Sequence, residues 1–202
     1  MPKYFEFEVS LREVKPKIWR RFLIQECATF MDLHEAIQEA CGWLNCHLFV
    51  FHTSNGKPIA GIPDDEYGEP DPDAEKVKLS SFFGRGGQKH CRYNYDFGDD
   101  WNHDIKCLRI LELQANFERR LLDGGRAFPR EDCGGITGYR DCVRVAKGGK
   151  DPEGLKKWLG GWLPERFDLE LIQKRFDRNA GSSKWYLAKR RAAQGKWETE
   201  VF

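Results

Sequence analysis

The sequence predicts an α+β fold: a mixed or antiparallel sheet carrying a packed helix, followed by a helical C-terminal third. Three observations lead there. Tyr4 to Val9 and Cys91 to Phe97 alternate apolar and polar side chains, as half-buried strands do. Thr29 and Asp32 form a capping-box pattern ahead of an apolar stripe at helical spacing. Beyond Tyr139 the text breaks into short stretches with helical stripes. A hairpin followed by a helix packed on the sheet also fits a β-grasp-like arrangement.

Taken in order, Phe5, Phe7 and Val9 oppose Glu6 and Glu8, and Ile18 to Ile24 supplies a second β-rich run after Pro16, so the two form an N-terminal hairpin. The helix from Thr29 places Phe30, Leu33, Ile37, Ala40 and Cys41 on one face and stops at Gly42. His47 to His52 reads as a short apolar strand in a central, two-sided position, with its two histidines as hydrogen-bonding ends on opposite faces. Gly61 to Glu75 is crowded with prolines and acids and reads as an exposed loop. Val77 to Phe83 reads as a short strand or helical turn. Gly84 to Gly87 lacks the Lys-Ser/Thr ending of a phosphate loop. Ile105 to Leu111 returns as a strand, which makes Gly98 to Asn102 the turn of a central hairpin. Asn116 to Asp123 fits either element and ends at Gly124 and Gly125. Phe128 to Tyr139 is too rich in glycine for a helix or a central strand. Tyr139 to Ala146, Pro152 to Leu159 and Asp168 to Phe176 read as helices, the last with Asp168 as its cap.

With 202 residues, 13% of them aromatic, the chain can bury a core without staples. The expected organisation is one domain over residues 1–180 and a basic, aromatic tail over 181–202. The near balance of 33 basic and 32 acidic residues gives a net charge of +1, which excludes a global attraction to nucleic acid or membrane. Seven cysteines, an odd number with no C-x-x-C pair, fit reduced, buried thiols better than a disulfide framework or a zinc knuckle. The N-terminal text has no apolar signal region, and no stretch is long and apolar enough to span a bilayer. A cytoplasmic location without membrane contact is expected.

The densest polar text lies at the central hairpin. Asp96, Asp99 and Asp100 fall across one turn beside Trp101 and His103, and Glu131 and Asp132 arrive on the Gly-rich loop next to Cys133. Acids crowded together need a cation, an arginine or backbone N–H groups to hold them. Two readings stay open. Asp and Gly are ordinary turn residues whose side chains bond their own backbone, which makes the cluster a scaffold. Alternatively Asp96, Asp99, Asp100, His103 and Glu131 are ligands of a divalent ion, with His103, Asp99 and Asp100 the candidates for catalysis. Cys133 has no recognisable base beside it, so a structural thiol is the simpler reading. In the tail, Trp185, Tyr186 and Trp197 among lysines and arginines fit either a solvated terminal helix or contacts to nucleic acid.

Several rare motifs occur together in one order. They are Trp19-Arg20-Arg21; Leu33 to Gln38 with Gly42-Trp43; the strand beginning at His47; Tyr95 to His103; Pro129 to Gly135; and Gly138-Tyr139. In these the chain resembles the plasmid pRiA4b ORF-3-like family, from about Tyr4 to about Phe176. The resemblance implies an α+β fold and an association with plasmids and insertion sequences, where members are labelled as passenger or resolvase-like proteins. It implies no defined reaction, and no recombinase nucleophile site is recognisable here. Relatives commonly carry further cysteines where this chain has Leu121, Leu122 and Phe128, and Arg130 replaces a proline. Both departures weaken a thiolate metal site on Cys133.

The expected function is therefore an accessory interaction module of mobile elements, without a cofactor. It would bind a protein or nucleic-acid partner through Asp96, Asp99, Asp100, Trp101, His103, Glu131 and Asp132. The rival is a metal-dependent hydrolase or nuclease built on the same acids and His103. The oligomeric state stays open.

Overall fold

The computed structural model describes residues 1–63 and 70–179. The tail over 181–202 and the centre of the acidic loop lie outside the described residues. Eight strands, β1 (Lys3–Leu11), β2 (Trp19–Gln25), β3 (Phe49–His52), β4 (Pro58–Gly61), β5 (His90–Tyr95), β6 (Trp101–Glu112), β7 (Phe117–Gly125) and β8 (Arg178–Asn179), form one sheet in the order β4-β3-β5-β6-β1-β2-β7-β8. Every neighbouring pair runs antiparallel. Five helices accompany it: α1 (Phe30–Cys41), α2 (Leu79–Phe83), α3 (Gly135–Ala146), α4 (Leu155–Leu159) and α5 (Leu169–Phe176). The expected α+β class holds.

The β1–β2 hairpin lies at the middle of the sheet because β1 can bury both faces. Phe5, Phe7 and Val9 enter the main core, while Tyr4 stacks on Phe117 at 4.3 Å in a smaller cluster on the other side. Glu6, only 3% exposed, is held there by Arg109 at 2.6 Å. A charged ladder thus replaces water on the outer face.

Helix α1 forms as its capping box requires. The Thr29 hydroxyl accepts the Asp32 N–H, Asp32 accepts the Thr29 N–H, and Gly42 ends the helix at φ 85°. Its core face includes a histidine, His34, stacked on Phe49 at 3.6 Å. Helix α5 is capped by Asp168 and carries Phe176 onto Phe22 at 5.2 Å.

Four expectations need correction. The 47–52 segment starts its strand only at Phe49 and alternates buried and half-buried residues, with His47 in the loop before it. The end of the acidic loop is anchored, since Ala74 is buried and bonds Gly61 and Met31 through its backbone. Gly124 and Gly125 do not end the 116–123 segment; they pair with Arg20 and Trp19 inside the sheet. A Cβ on Gly124 would lie 2.6 Å from the Phe167 ring, and one on Gly125 2.7 Å from Trp19 Nε1, so glycine is required by close packing. The central turn runs over residues 96–100, two residues earlier than expected, because Tyr95 already pairs with Trp101.

Candidate functional site

The 96–100 turn is built by its own aspartates. Asp96 and Asp100 sit in the left-handed region, at φ 57° and 55°, which short polar side chains tolerate. Asp96 Oδ1 accepts the N–H groups of Gly98 (3.1 Å) and Asp99 (3.3 Å). Asp100 accepts the side-chain amides of Asn94 and Asn102. Asp99 reaches away from the turn and accepts the N–H of Gly134 at 3.1 Å, tying the turn to the Gly-rich loop.

The turn also throws Trp101 and His103 inward, so neither reaches the loop face expected of them. Both are fully buried. Trp43, from the Gly-Trp pair after α1, packs between Tyr95 (5.2 Å), Trp101 (5.8 Å), His103 (5.5 Å) and Phe128 (5.9 Å), and donates its indole N–H to Pro129 O. His103 Nδ1 lies 3.0 Å from Trp101 O, so Nδ1 carries the proton. Burial holds the ring neutral, with its pKa lowered to about 4. The residue expected as ligand or base is a core histidine that touches no carboxylate.

The remaining acids divide. Glu131 accepts the Leu44 N–H at 2.6 Å and the Tyr95 hydroxyl, a bond that ties the Gly-rich loop to β5. Burial and that carboxylate push the Tyr95 phenol far above its usual range, so it stays a donor. Asp132 Oδ1 lies 2.9 Å from His47 Nε2, and Asp96 Oδ2 lies 3.6 Å from the same nitrogen. One ligand atom each from His47, Asp96 and Asp132 falls within 4.8 Å of the others. Of the five expected metal ligands only Asp96 belongs to this group. Asp99, Asp100 and Glu131 are turned to backbone, amide or hydroxyl donors. The sequence places His47 at the end of an apolar strand; the structure leaves it in the preceding loop, because the strand starts only at Phe49. Cys133 is half-buried, and burial raises its thiol well above the usual range, which makes it a poor nucleophile.

Beside this rim opens a cleft of about 640 Å³ between the end of α1, the 127–132 segment, the 158–163 segment and α5. Arg20, Arg130, Arg166 and Arg175 line it together with Glu131, Asp132 and Asp168. Leu44, Trp158, Leu163 and Leu171, all exposed, ring it. Of this lining only Glu131 and Asp132 stand out in the sequence as site candidates, because the rest is gathered from five separate segments, β2 among them.

Known proteins are similar to this chain in sequence or in fold. The uncharacterized protein y4hQ of Sinorhizobium fredii (strain NBRC 101917 / NGR234) is 37% identical over 140 residues, covering 69% of this chain and 71% of its own length. The crystal structure of a protein of unknown function from Methanosarcina mazei Go1 matches with a TM-score of 0.76 at 34% identity, covering 84% of this chain and 96% of that one. Among the described residues, no helix is long and apolar enough to cross a membrane. The family model for plasmid pRiA4b ORF-3-like proteins matches residues 3–173, taking in β1 through most of α5, and the chain belongs to that family.

Proposed function

We propose that the chain is a macromolecular interaction module that grips its partner in the cleft, with the 127–132 segment as one wall. One observation carries this reading. Of the nine large hydrophobic residues exposed among those described, four (Leu44, Trp158, Leu163 and Leu171) ring that single cleft. Clustered exposed apolar side chains among charges mark interaction surfaces, whereas scattered ones do not. That wall is tied down, since Glu131 accepts the Leu44 N–H and the Tyr95 hydroxyl and the Pro129 carbonyl accepts the Trp43 indole N–H. Rigid walls suit recognition. Accessory work beside plasmids or mobile elements, in the cytoplasm, is part of the same proposal and rests on the family setting.

The test is site-specific photo-cross-linking in cells of the native host. A probe at Leu163 should capture one discrete macromolecule, and the capture should be lost in a Leu44→Asp, Leu171→Asp variant. A probe at Leu108, exposed outside the cleft, serves as control. Equal capture from both positions, or none from Leu163, overturns the proposal.

A second reading is favoured by the His47, Asp96 and Asp132 group. Neighbouring donors around an ion with bonds of about 2.0–2.2 Å stand roughly 3–3.5 Å apart, close to the 2.9 and 3.6 Å separations here. One imidazole with two carboxylates suits a borderline divalent ion such as Zn²⁺ or Mn²⁺. This set replaces the expected one as the basis for a metal-dependent hydrolase. Added Zn²⁺ or Mn²⁺ should raise the melting temperature of the full chain but not that of His47→Ala. No shift in the unmodified protein removes the reading.

A further inference from the structure

Two arginines of the core face contrasting surroundings. Arg119, 6% exposed, lies 2.6 Å from Glu39 and donates to Phe176 O, the usual arrangement for a buried charge. Arg20 is 3% exposed, and among the described residues no carboxylate pairs with it. Its Nε donates to Ala40 O at 3.1 Å, and Nη1 donates to Trp19 O (2.8 Å) and Gly125 O (3.3 Å). Phe128 and Phe167 sandwich the guanidinium at 4.8 and 4.7 Å. Nη2 makes no hydrogen bond among the described residues, and this residue lines the cleft.

The rest of the lining sets three arginines, Arg130, Arg166 and Arg175, against three acids, Glu131, Asp132 and Asp168, so Arg20 leaves the cleft one positive charge in excess. Arg175 stands close enough to oppose the charge on Arg20. Arg166 makes no ion pair among the described residues, and Arg130 lies over the Trp158 ring at 4.8 Å with one bond to Leu159 O. The three acids keep their charge but are held by other donors, Glu131 by Leu44 and Tyr95, Asp132 by His47 and Asp168 by the Leu171 N–H, and none of them hydrogen-bonds Arg20. A buried cation held only by carbonyls and rings is costly to fold around unless an anion completes it.

We propose that the cleft binds a phosphate monoester, with Arg20 at its inner wall, Arg166 and Arg130 at its mouth, and Trp158 and Trp162 against the body that carries the phosphate. Guanidinium groups from β2, the 127–132 segment and the turn before α5 line the one cleft, and several charge-assisted donors match the double charge and three terminal oxygens of a phosphate monoester better than a carboxylate. The volume leaves room for a body the size of a nucleoside. The proposal rests on the cleft being the binding face, and it names the chemistry recognised there.

Calorimetric titration of the full chain with adenosine 5′-monophosphate and with adenosine tests it. The monophosphate should bind at least about tenfold tighter than adenosine. Arg166→Ala, an exposed position that folding does not need, should weaken the monophosphate about fivefold or more while leaving the melting temperature unchanged. Equal affinity for the two probes, or monophosphate binding unchanged in both Arg166→Ala and Arg130→Ala, overturns the proposal. If Leu163 cross-links a partner but the monophosphate does not bind, the phosphate site fails and the interaction module stands. The reverse pair of results removes the module and keeps the site.

Discussion

The carboxylate of Asp99 accepts the backbone N–H of Gly134 at 3.1 Å, and the next glycine, Gly135, packs so close that a Cβ there would lie 2.6 Å from Asp99 O. The Asp-Asp-Trp turn and the Glu-Asp-Cys-Gly-Gly loop, separate motifs in the chain, are thus two halves of one joint. Gly135 is also buried and sits at φ 63°, where a side chain adds strain to the clash. Gly135→Ala should cost about 2–4 kcal/mol, and Asp99→Ala, at an exposed bond, about 0.5–1 kcal/mol. Urea midpoints at unchanged slope would show it. An Ala at 135 as stable as the native glycine would mean that the joint is not needed.

His103 makes stability depend on pH. Its folded pKa of about 4 lies below the ordinary 6.5, so between those values the unfolded chain binds more protons than the folded one. Stability contributed by the neutral ring is therefore complete above about pH 6.5 and lost as the pH falls toward 4. The gap corresponds to roughly 3 kcal/mol. Unfolding free energies measured from pH 7 to pH 4 should fall by that order, and His103→Phe should flatten the slope. A slope identical in the variant would assign the acid sensitivity to other groups.

Glu39 and Arg119 form the buried ion pair that locks α1 to β7, at 2.6 Å with both side chains about nine-tenths buried. Glu39→Gln leaves a buried guanidinium without its counter-charge and should cost about 3 kcal/mol or more. Replacing Glu39 by Met and Arg119 by Leu together should recover part of that loss, because an apolar pair carries no desolvation penalty. A double variant less stable than the single one contradicts this account.

The elements that local chemistry decides were readable from the chain. Thr29 and Asp32 announce α1, Asp168 announces α5, and the alternation of Phe5, Phe7 and Val9 announces β1. The site was less readable because turn chemistry hides direction. Asp96 in the left-handed region ends the alternation one residue before Phe97, which leaves Phe97 exposed and sends Trp101 inward. A rule of alternation cannot see that step. His47 joins Asp96 and Asp132 only through the fold, across intervals of tens of residues. Arg20 did leave a local trace: it occupies the core face in the series Ile18, Arg20, Phe22, Ile24. A charge at an apolar position of a strand deserves the same scrutiny as a cluster of acids on a turn.

The cysteines separate by burial, independently of motif. Cys27 and Cys46 are exposed, while Cys41, Cys91, Cys107 and Cys142 are buried and Cys133 is half-buried. Burial is the first cause of the raised thiol pKa at Cys133, and the neighbouring Cys142 and Asp99 push it the same way. Since the thiolate is the reactive form, brief treatment of the native protein with iodoacetamide near neutral pH should label Cys27 and Cys46 and spare Cys133. Peptide mass spectrometry reads the pattern directly. Faster labelling of Cys133 than of the two exposed thiols would reveal an activated nucleophile in the Gly-rich loop and would reopen a catalytic role for that motif.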